Sequence, residues 1–214
     1  MSLQKGKILD LRMDRGFKDS TPYENHGTAT DVTLGADRKG KTKAGVFNGT
    51  SSYVSIADSD SVSFGNGTTD TPFTITWWSK MTVSNGARHI TKATEYSINN
   101  TNAFRVHLRD ASTNGHLQKH FGSPSAYLNQ WIMFTVTYDG SSTVSGIKAY
   151  WNAVEKTGTD ESSGTYVAME NSANNLNLGT DGTEYFSGSM SDVRIYNRAL
   201  SQAEITKLYE SYNK

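Results

Sequence analysis

The chain of 214 residues has no cysteine, only three prolines, no excess of either charge sign and no long apolar run. The absence of cysteine excludes a disulfide-based scaffold, but it leaves the compartment open, because many secreted bacterial proteins also lack cysteine. A chain of this size buries roughly 70% of its unfolded surface, so it can fold without disulfides or a metal.

The charge balance argues against one class of partner. Lysine plus arginine and aspartate plus glutamate both total 21, so the formal net charge is zero. A nucleic-acid-binding protein usually carries a basic excess, so we expect no nucleic-acid partner. No apolar run approaches the roughly 18 residues of a membrane span, and the first residues, MSLQKGKILDL, lack the apolar core of a signal peptide. With so few prolines and no low-complexity tract, we expect a single domain over residues 1–214.

Several segments alternate between apolar and polar residues, which is the period of a β-strand. In each, one set of alternate positions is apolar, including Phe104 and Val136, and the other set is mixed. Turn sequences separate the segments and no amphipathic helix lies between them, which excludes a parallel βαβ arrangement. We therefore predict an all-β fold, an antiparallel β-sandwich of jelly-roll type. The segments are residues 73–81, 103–110, 131–140 and 146–154.

The C-terminal region predicts a strand followed by a short helix. Residues 189–197 alternate, with Val193 and Ile195 inward. Ser201 and Glu204 then have the spacing of a capping box, in which each side chain accepts a hydrogen bond from the other residue's backbone. Apolar residues follow at helical spacing. An isolated helix of about ten residues is marginal in water, so we expect this one to pack on the sandwich. Those residues are Ile205, Leu208, Tyr209 and Tyr212.

Five motifs follow one another along almost the whole chain, at residues 19–30, 43–56, 73–81, 131–154 and 176–209. In this order they resemble the motifs of the concanavalin A-like, laminin-G-like jelly-roll domains of the lectin/glucanase superfamily. One departure is Ala153, where that family commonly has glycine. The resemblance implies binding domains of secreted and surface proteins and of phage particles, so an extracellular, secreted or virion-associated location is expected.

The superfamily also contains glycoside hydrolases and polysaccharide lyases, but catalytic residues are hard to find here. A retaining glycosidase needs two carboxylates about 5–5.5 Å apart, and no Glu-x-Asp-x-Glu run occurs. Asp160 and Glu161 are adjacent in a polar loop and would face opposite ways. His116 and His120 have the spacing of a helical zinc pair, but on a strand they would stand roughly 13 Å apart. We therefore favour a non-catalytic binding module, with a hydrolase or lyase as the less favoured alternative.

Residues opposite the core face are candidates for a carbohydrate site. Trp78 and Tyr150 could form the floor of a groove, because aromatic faces stack on sugars, with Arg105 and His107 as polar contacts. The partner would be a polysaccharide or a cell-surface glycan. Alternatively, Trp78 and Tyr150 serve packing alone, and the charges on the strand form a solvated face. The chain would then be a structural or adhesion domain of a phage particle or a multidomain surface protein, in contact with other domains of its parent.

The resemblance also implies a structural Ca²⁺ away from the groove. Calcium takes six to eight oxygen ligands, both carboxylate and carbonyl. The resemblance assigns the carboxylate to Asp192 and carbonyl oxygens to Gly49 and the region of Asp10, with Asp19 as a rival ligand. The alternative for Asp192 is a side chain that is hydrogen-bonded to neighbouring backbone amides.

Overall fold

The computed structural model describes residues 3–14 and 16–212, which form two antiparallel sheets of eight strands and one C-terminal α-helix. We call the sheets the helix-side sheet and the groove-side sheet. The helix-side sheet contains β1 (Lys7–Leu11), β3 (Thr33–Ala36), β4 (Thr42–Asn48), β6 (Phe73–Met81), β11 (Ile132–Tyr138), β12 (Ile147–Trp151), β13 (Val154–Lys156) and β16 (Ser187–Tyr196). The groove-side sheet contains β2 (Gly27–Thr30), β5 (Tyr53–Ile56), β7 (Ala87–Lys92), β8 (Tyr96–Thr101), β9 (Ala103–Asp110), β10 (Gly115–His120), β14 (Thr159–Asp160) and β15 (Leu176–Leu178).

The strand order brings distant parts of the chain together. The helix-side sheet runs β13-β12-β11-β6-β16-β4-β3, and β1 pairs with the far end of β16. The groove-side sheet runs β14-β10-β9-β8-β7-β15-β5-β2, so β7 to β10 form a continuous meander. This arrangement confirms the predicted antiparallel sandwich, and it places four consecutive strands side by side beneath one surface.

The core lies between the two sheets and consists of the apolar positions of the alternating segments. Phe104, Val136 and Ile195, predicted to face inward, are fully buried. Aromatic rings dominate the centre, where the rings of Phe104 and Phe134 stack with their centroids 4.9 Å apart. Stacked aromatic side chains bury large areas and add roughly 0.5–1.5 kcal/mol per pair beyond the area term.

The helix α1 (Gln202–Ser211) packs on the outer face of the helix-side sheet. Ser201 caps it, and both hydrogen bonds of the capping box with Glu204 are present, as the sequence predicts. Ile205 and Leu208 are buried against the sheet. A short helix is stabilised mainly by such packing, because its own backbone hydrogen bonds are marginal in water. No helix in the described ranges has the length and apolar character that a membrane span requires.

The turn between β12 and β13 forms even though it lacks glycine at its second position. Trp151 pairs with Val154, and the two residues between them have positive φ, 50° at Asn152 and 64° at Ala153. This is the backbone of a type I′ hairpin turn, which favours glycine at its second position. The turn therefore forms without the glycine that is common in the family, and Ala153 adopts the strained positive φ.

Candidate ligand-binding groove

A polar groove of about 670 Å³ lies on the outer face of the groove-side sheet, over β7 to β10. Its floor contains a row of directly paired residues, in which Thr91 faces Ser97, Ser97 faces His107, and His107 faces Gln118. These side chains point away from the core because their neighbours along each strand, such as Val106 and Leu117, point into it. The volume lies within the range of small-molecule and oligosaccharide sites.

Arg105 is held rigidly at one side of this floor. Its Nε donates a hydrogen bond of 2.9 Å to Glu161, and its Nη1 donates to the carbonyl oxygen of Thr101. The Nε2 of Gln118 donates to the same Glu161 oxygen at 2.8 Å. The guanidinium is therefore oriented before any ligand arrives, and preorganised donors bind with less loss of side-chain entropy. Its Nη2 has no hydrogen-bond partner in the described part of the chain.

His107 lies at the centre of the floor and is mostly buried. Its ring meets that of His116 edge to face with centroids 4.5 Å apart, and its Nε2 has no protein partner in the described ranges. Burial, followed by the charges of Arg109 and His116, lowers the pKa of His107 to about 3. The imidazole is therefore neutral at pH 7 and presents one N–H donor and one acceptor nitrogen.

The end of the groove near β7 is closed by ion pairs. Arg88 lies 2.8 Å from Asp181 and 2.6 Å from Glu184. Lys92 is fully buried and contacts Glu95 at 2.5 Å. A buried lysine of this kind is retained only with such partners, because removing one would leave an uncompensated charge. These pairs fix the wall of the groove.

Two of the four predicted ligand residues, Trp78 and Tyr150, lie on the opposite side of the sandwich. They belong to the helix-side sheet and are only 4% and 3% exposed, because α1 covers them. The ring of Trp78 stacks on Tyr209 at 5.8 Å, and the guanidinium of Arg38 lies 4.6 Å above it. The prediction that both aromatics form the floor of a groove with Arg105 is therefore wrong, and the packing alternative describes them correctly.

Arg105 and His107, the other two predicted residues, do lie together in the groove. The prediction missed Thr91, Ser97 and Gln118, which complete the row across the floor. Each occupies an outward position of an alternating strand, which is the only sequence signal that could have identified them. The signal is weak because it does not say which strands are neighbours.

The residues assigned to calcium do not assemble into a calcium site. Gly49 directly follows Asn48, and Asn48 pairs with Ser187 at the start of β16. Ser187 and Asp192 are five residues apart on this strand, so Gly49 and Asp192 are separated by roughly 16 Å. The carboxylate of Asp192 instead lies 2.9 Å from the Nη1 of Arg38. Neither the calcium assignment nor the alternative of backbone amides describes Asp192.

The carboxylates of Asp10 and Asp19 also have partners within the protein. Asp10 is buried and pairs with Lys7 at 2.6 Å and Arg194 at 2.9 Å. Burial alone would raise the pKa of Asp10, but Arg194 and Lys7 lower it below its ordinary value. The carboxylate of Asp19 accepts hydrogen bonds from backbone amides, including those of Asp10 and Asn25. These oxygens already have cationic or amide partners, so the donor set does not fit calcium. In the described ranges, no three acidic or histidine side chains lie close enough together to hold a metal ion.

The acidic groups beside the groove do not have the properties of a general acid. Hydrogen bonds from Arg105 and Gln118 lower the pKa of Glu161. At the other end, burial alone would raise the pKa of Asp181, but the amides of Glu184 and Thr183 and the charge of Arg88 lower it. A glycosidase acid instead needs a raised pKa to hold its proton near neutral pH.

Comparisons with solved structures show the same fold in several binding domains. The chain matches the binding domain of Paraclostridial Mosquitocidal Protein 1 with a TM-score of 0.73 and 17% identity, over 99% of this chain and 53% of that one. It matches the receptor-binding domain of botulinum neurotoxin D with a TM-score of 0.75 and 15% identity, over 99% and 54%. The chain thus spans about half the length of these toxin domains.

A third structure is matched over nearly its full length. Domain 4 of AbnA, a GH43 extracellular arabinanase from Geobacillus stearothermophilus, was solved in complex with arabinotriose. The match has a TM-score of 0.68 and 19% identity, and it covers 95% of this chain and 98% of that domain. At these identities the similarity shows the fold alone.

The sequence comparisons agree with this fold. No curated protein matches the chain. A laminin-G-type family profile, described as the concanavalin A-like lectin/glucanases superfamily, matches residues 48–206, which is more than half of the chain. The profile covers every strand that forms the groove floor. The chain therefore belongs to the concanavalin A-like lectin/glucanase superfamily.

Proposed function

We propose that the protein is a non-catalytic carbohydrate-binding module and that an oligosaccharide lies in the groove over β7 to β10. The observation that carries this proposal is the row Thr91, Ser97, His107 and Gln118, an unbroken set of polar side chains across four paired strands. The hydroxyl of Ser97 and the amide of Gln118 are complementary to sugar hydroxyls, because each can donate or accept hydrogen bonds. The hydroxyl of Thr91 and the Nε2 of His107 are buried, so these two residues shape the floor rather than offer those atoms to a ligand.

The anchored Arg105 supports the same proposal. Its guanidinium is fixed by Glu161, so its remaining N–H groups can point into the groove without further ordering. The lowered pKa of Glu161 and of Asp181 supports binding without catalysis. The match to a domain solved with arabinotriose adds weight to a sugar ligand, although that ligand belongs to the other protein.

A glycan array followed by calorimetry tests the proposal. Ser97 lies at the centre of the floor, so Ser97→Trp should fill the groove and abolish binding, whereas Arg105→Ala should weaken it about tenfold or more. Lys148→Ala is the matched control, since it removes an exposed cation from the helix-side sheet. The melting temperature of each variant checks that the fold is kept. Binding that survives both groove variants would refute the assignment of the site.

A further inference from the structure

The end of the groove near β10 contains an arginine whose charge is not compensated by any contact. The four cationic residues that line the groove are Arg88, Lys92, Arg105 and Arg109. The first three each contact a carboxylate at 2.9 Å or less. Arg109 is exposed, and its guanidinium has no ion pair or hydrogen bond in residues 3–14 and 16–212.

Nearby acids do not neutralise Arg109. Asp110 is its neighbour in sequence but points to the other face of β9, where it is buried. The carboxylate of Asp110 accepts hydrogen bonds from the side chain of Ser112 and the amides of Thr113 and Val167 at 2.7–3.0 Å. Because the carboxylate of Asp110 is occupied by these bonds, the guanidinium of Arg109 faces the groove with its N–H donors and has no acceptor among the described residues.

His107 lies on the same face of β9, two residues from Arg109, so the two side chains are neighbours in the groove. His116 is the direct cross-strand partner of Arg109, and its ring packs against that of His107. The ring of His107 therefore lies beside the side chain of Arg109, and both residues line a second recess of about 390 Å³. The Nε2 of His107 is buried, so only the other ring nitrogen, Nδ1, can reach a ligand there. Thr94 and Asn114 add polar groups to its rim.

The chemistry of this pair selects one kind of group. A guanidinium binds a carboxylate through two parallel N–H···O bonds, and a neighbouring neutral imidazole can add one more hydrogen bond. A densely charged polymer is disfavoured, because Glu161, Asp181 and Glu184 surround the remaining cations of the groove. Arg109 is the one cation of the groove without a carboxylate partner in the described ranges, so it matches a sugar chain that carries one carboxylate and is otherwise neutral.

We infer that Arg109, with His107 beside it, binds the carboxylate of a uronic acid residue, so that the ligand is an acidic oligosaccharide with isolated uronates. This inference rests on the proposed function and names the ligand class for the same groove. The neutral sugars of such a chain would lie along Ser97 and Gln118.

Calorimetry with matched sugars tests this inference. The probes are oligosaccharides that end in one glucuronate, galacturonate or iduronate, each paired with its carboxyl-reduced counterpart, and the same neutral chains with one 6-sulfate. The expected result is binding of a uronate chain at least tenfold tighter than its reduced counterpart. Arg109→Gln should remove this preference, so that the uronate chain and its reduced counterpart bind with equal affinity. Arg109→Lys should keep only part of the preference, because lysine lacks the planar fork.

Controls separate the inference from simple charge effects. Lys207→Gln removes an exposed cation from α1, on the other side of the sandwich, and should change neither affinity. His107→Phe should weaken uronate binding without reversing the preference. Equal affinity for uronate and reduced chains, with loss of both in Ser97→Trp, would overturn the inference while the proposed function stands. Tighter binding of the sulfate ester than of the uronate would overturn the carboxylate assignment, and binding of none of the probes would overturn the inference outright.

Discussion

His89 gives the sharpest test of the physical account of this fold, because it is a histidine placed entirely within the aromatic core. It is fully buried on β7, and neither of its ring nitrogens has a partner in the described part of the chain. The rings of Trp77, Phe134 and Phe186 lie 5.2–5.4 Å from it. Burial lowers the pKa of His89 from 6.5 to about 3.

The sign of the pH effect follows from proton binding. Between pH 6.5 and 3 the imidazole is protonated in the unfolded chain and neutral in the folded one, so the unfolded state binds more protons. The free energy of unfolding is therefore not lowered by His89 above pH 6.5, and it decreases as the pH falls from 6.5 toward 3. Well below pH 6.5 each further pH unit costs between about 1 and 1.5 kcal/mol, so lowering the pH from 7.5 to 4.5 should cost about 3 kcal/mol.

The substitution His89→Leu isolates this effect, because leucine is similar in size and has no polar atoms. At pH 7.5 the variant should be more stable by about 1–3 kcal/mol, since two buried groups without partners are removed. At pH 4.5 the difference should be larger by about 3 kcal/mol. His107, whose pKa is also lowered, is present in both proteins and therefore cancels from the comparison.

Urea unfolding followed by tryptophan fluorescence at pH 7.5, 6.5, 5.5 and 4.5 measures both free energies of unfolding. Above pH 4.5 most carboxylates stay ionised in the folded and unfolded states, so histidines dominate the slope. The reasoning fails if the wild type and His89→Leu lose stability in parallel over this range, or if NMR shows the imidazole of His89 titrating near pH 6.5 in the folded protein.

Four further substitutions or treatments test other parts of the structure. Trp78→Ala should destabilise the fold by about 3–5 kcal/mol in urea unfolding without changing groove binding below the transition, because the ring packs under α1; an unchanged stability would contradict this burial. Ala153→Gly should raise the melting temperature by about 2–4 °C, since it relieves a positive φ that costs alanine about 1 kcal/mol; a decrease would show that the methyl group matters more. Glu204→Gln should cost about 1–2 kcal/mol at pH 7 and little at pH 2, because a hydrogen bond from Arg198 lowers the pKa of Glu204 to about 2 and holds it ionised; equal losses at both pH values would refute the ionic role. A chelator should leave the melting temperature unchanged, because Asp192 pairs with arginines, and a decrease would reveal a bound cation.

The sequence predicts much of the fold because strand periodicity is a local property. Residues 73–81 and 103–110 alternate, and the structure forms β6 and β9 over these same residues. The capping box at Ser201 also depends only on residues a few positions apart. These features are set by backbone geometry and by nearby side chains, so they can be read without the rest of the molecule.

The candidate site could be predicted only in part, because it depends on which strands are neighbours. Trp78 and Arg105 both occupy outward positions of their strands, but they lie in different sheets and face opposite sides of the molecule. The alternation of a strand distinguishes inside from outside, and it says nothing about whether a helix covers the outside.

By itself the sequence determined the strand segments, their inward faces, the capped helix and the family, all of which rest on local pattern or on motif order. The tertiary structure alone decided that α1 covers Trp78, that Arg105 and Arg109 lie in one open groove, and that Asp192 meets Arg38 rather than a metal. The reason is physical. Strand order and register are fixed by packing between residues far apart in the chain, and no local pattern encodes which outer face remains open to a ligand.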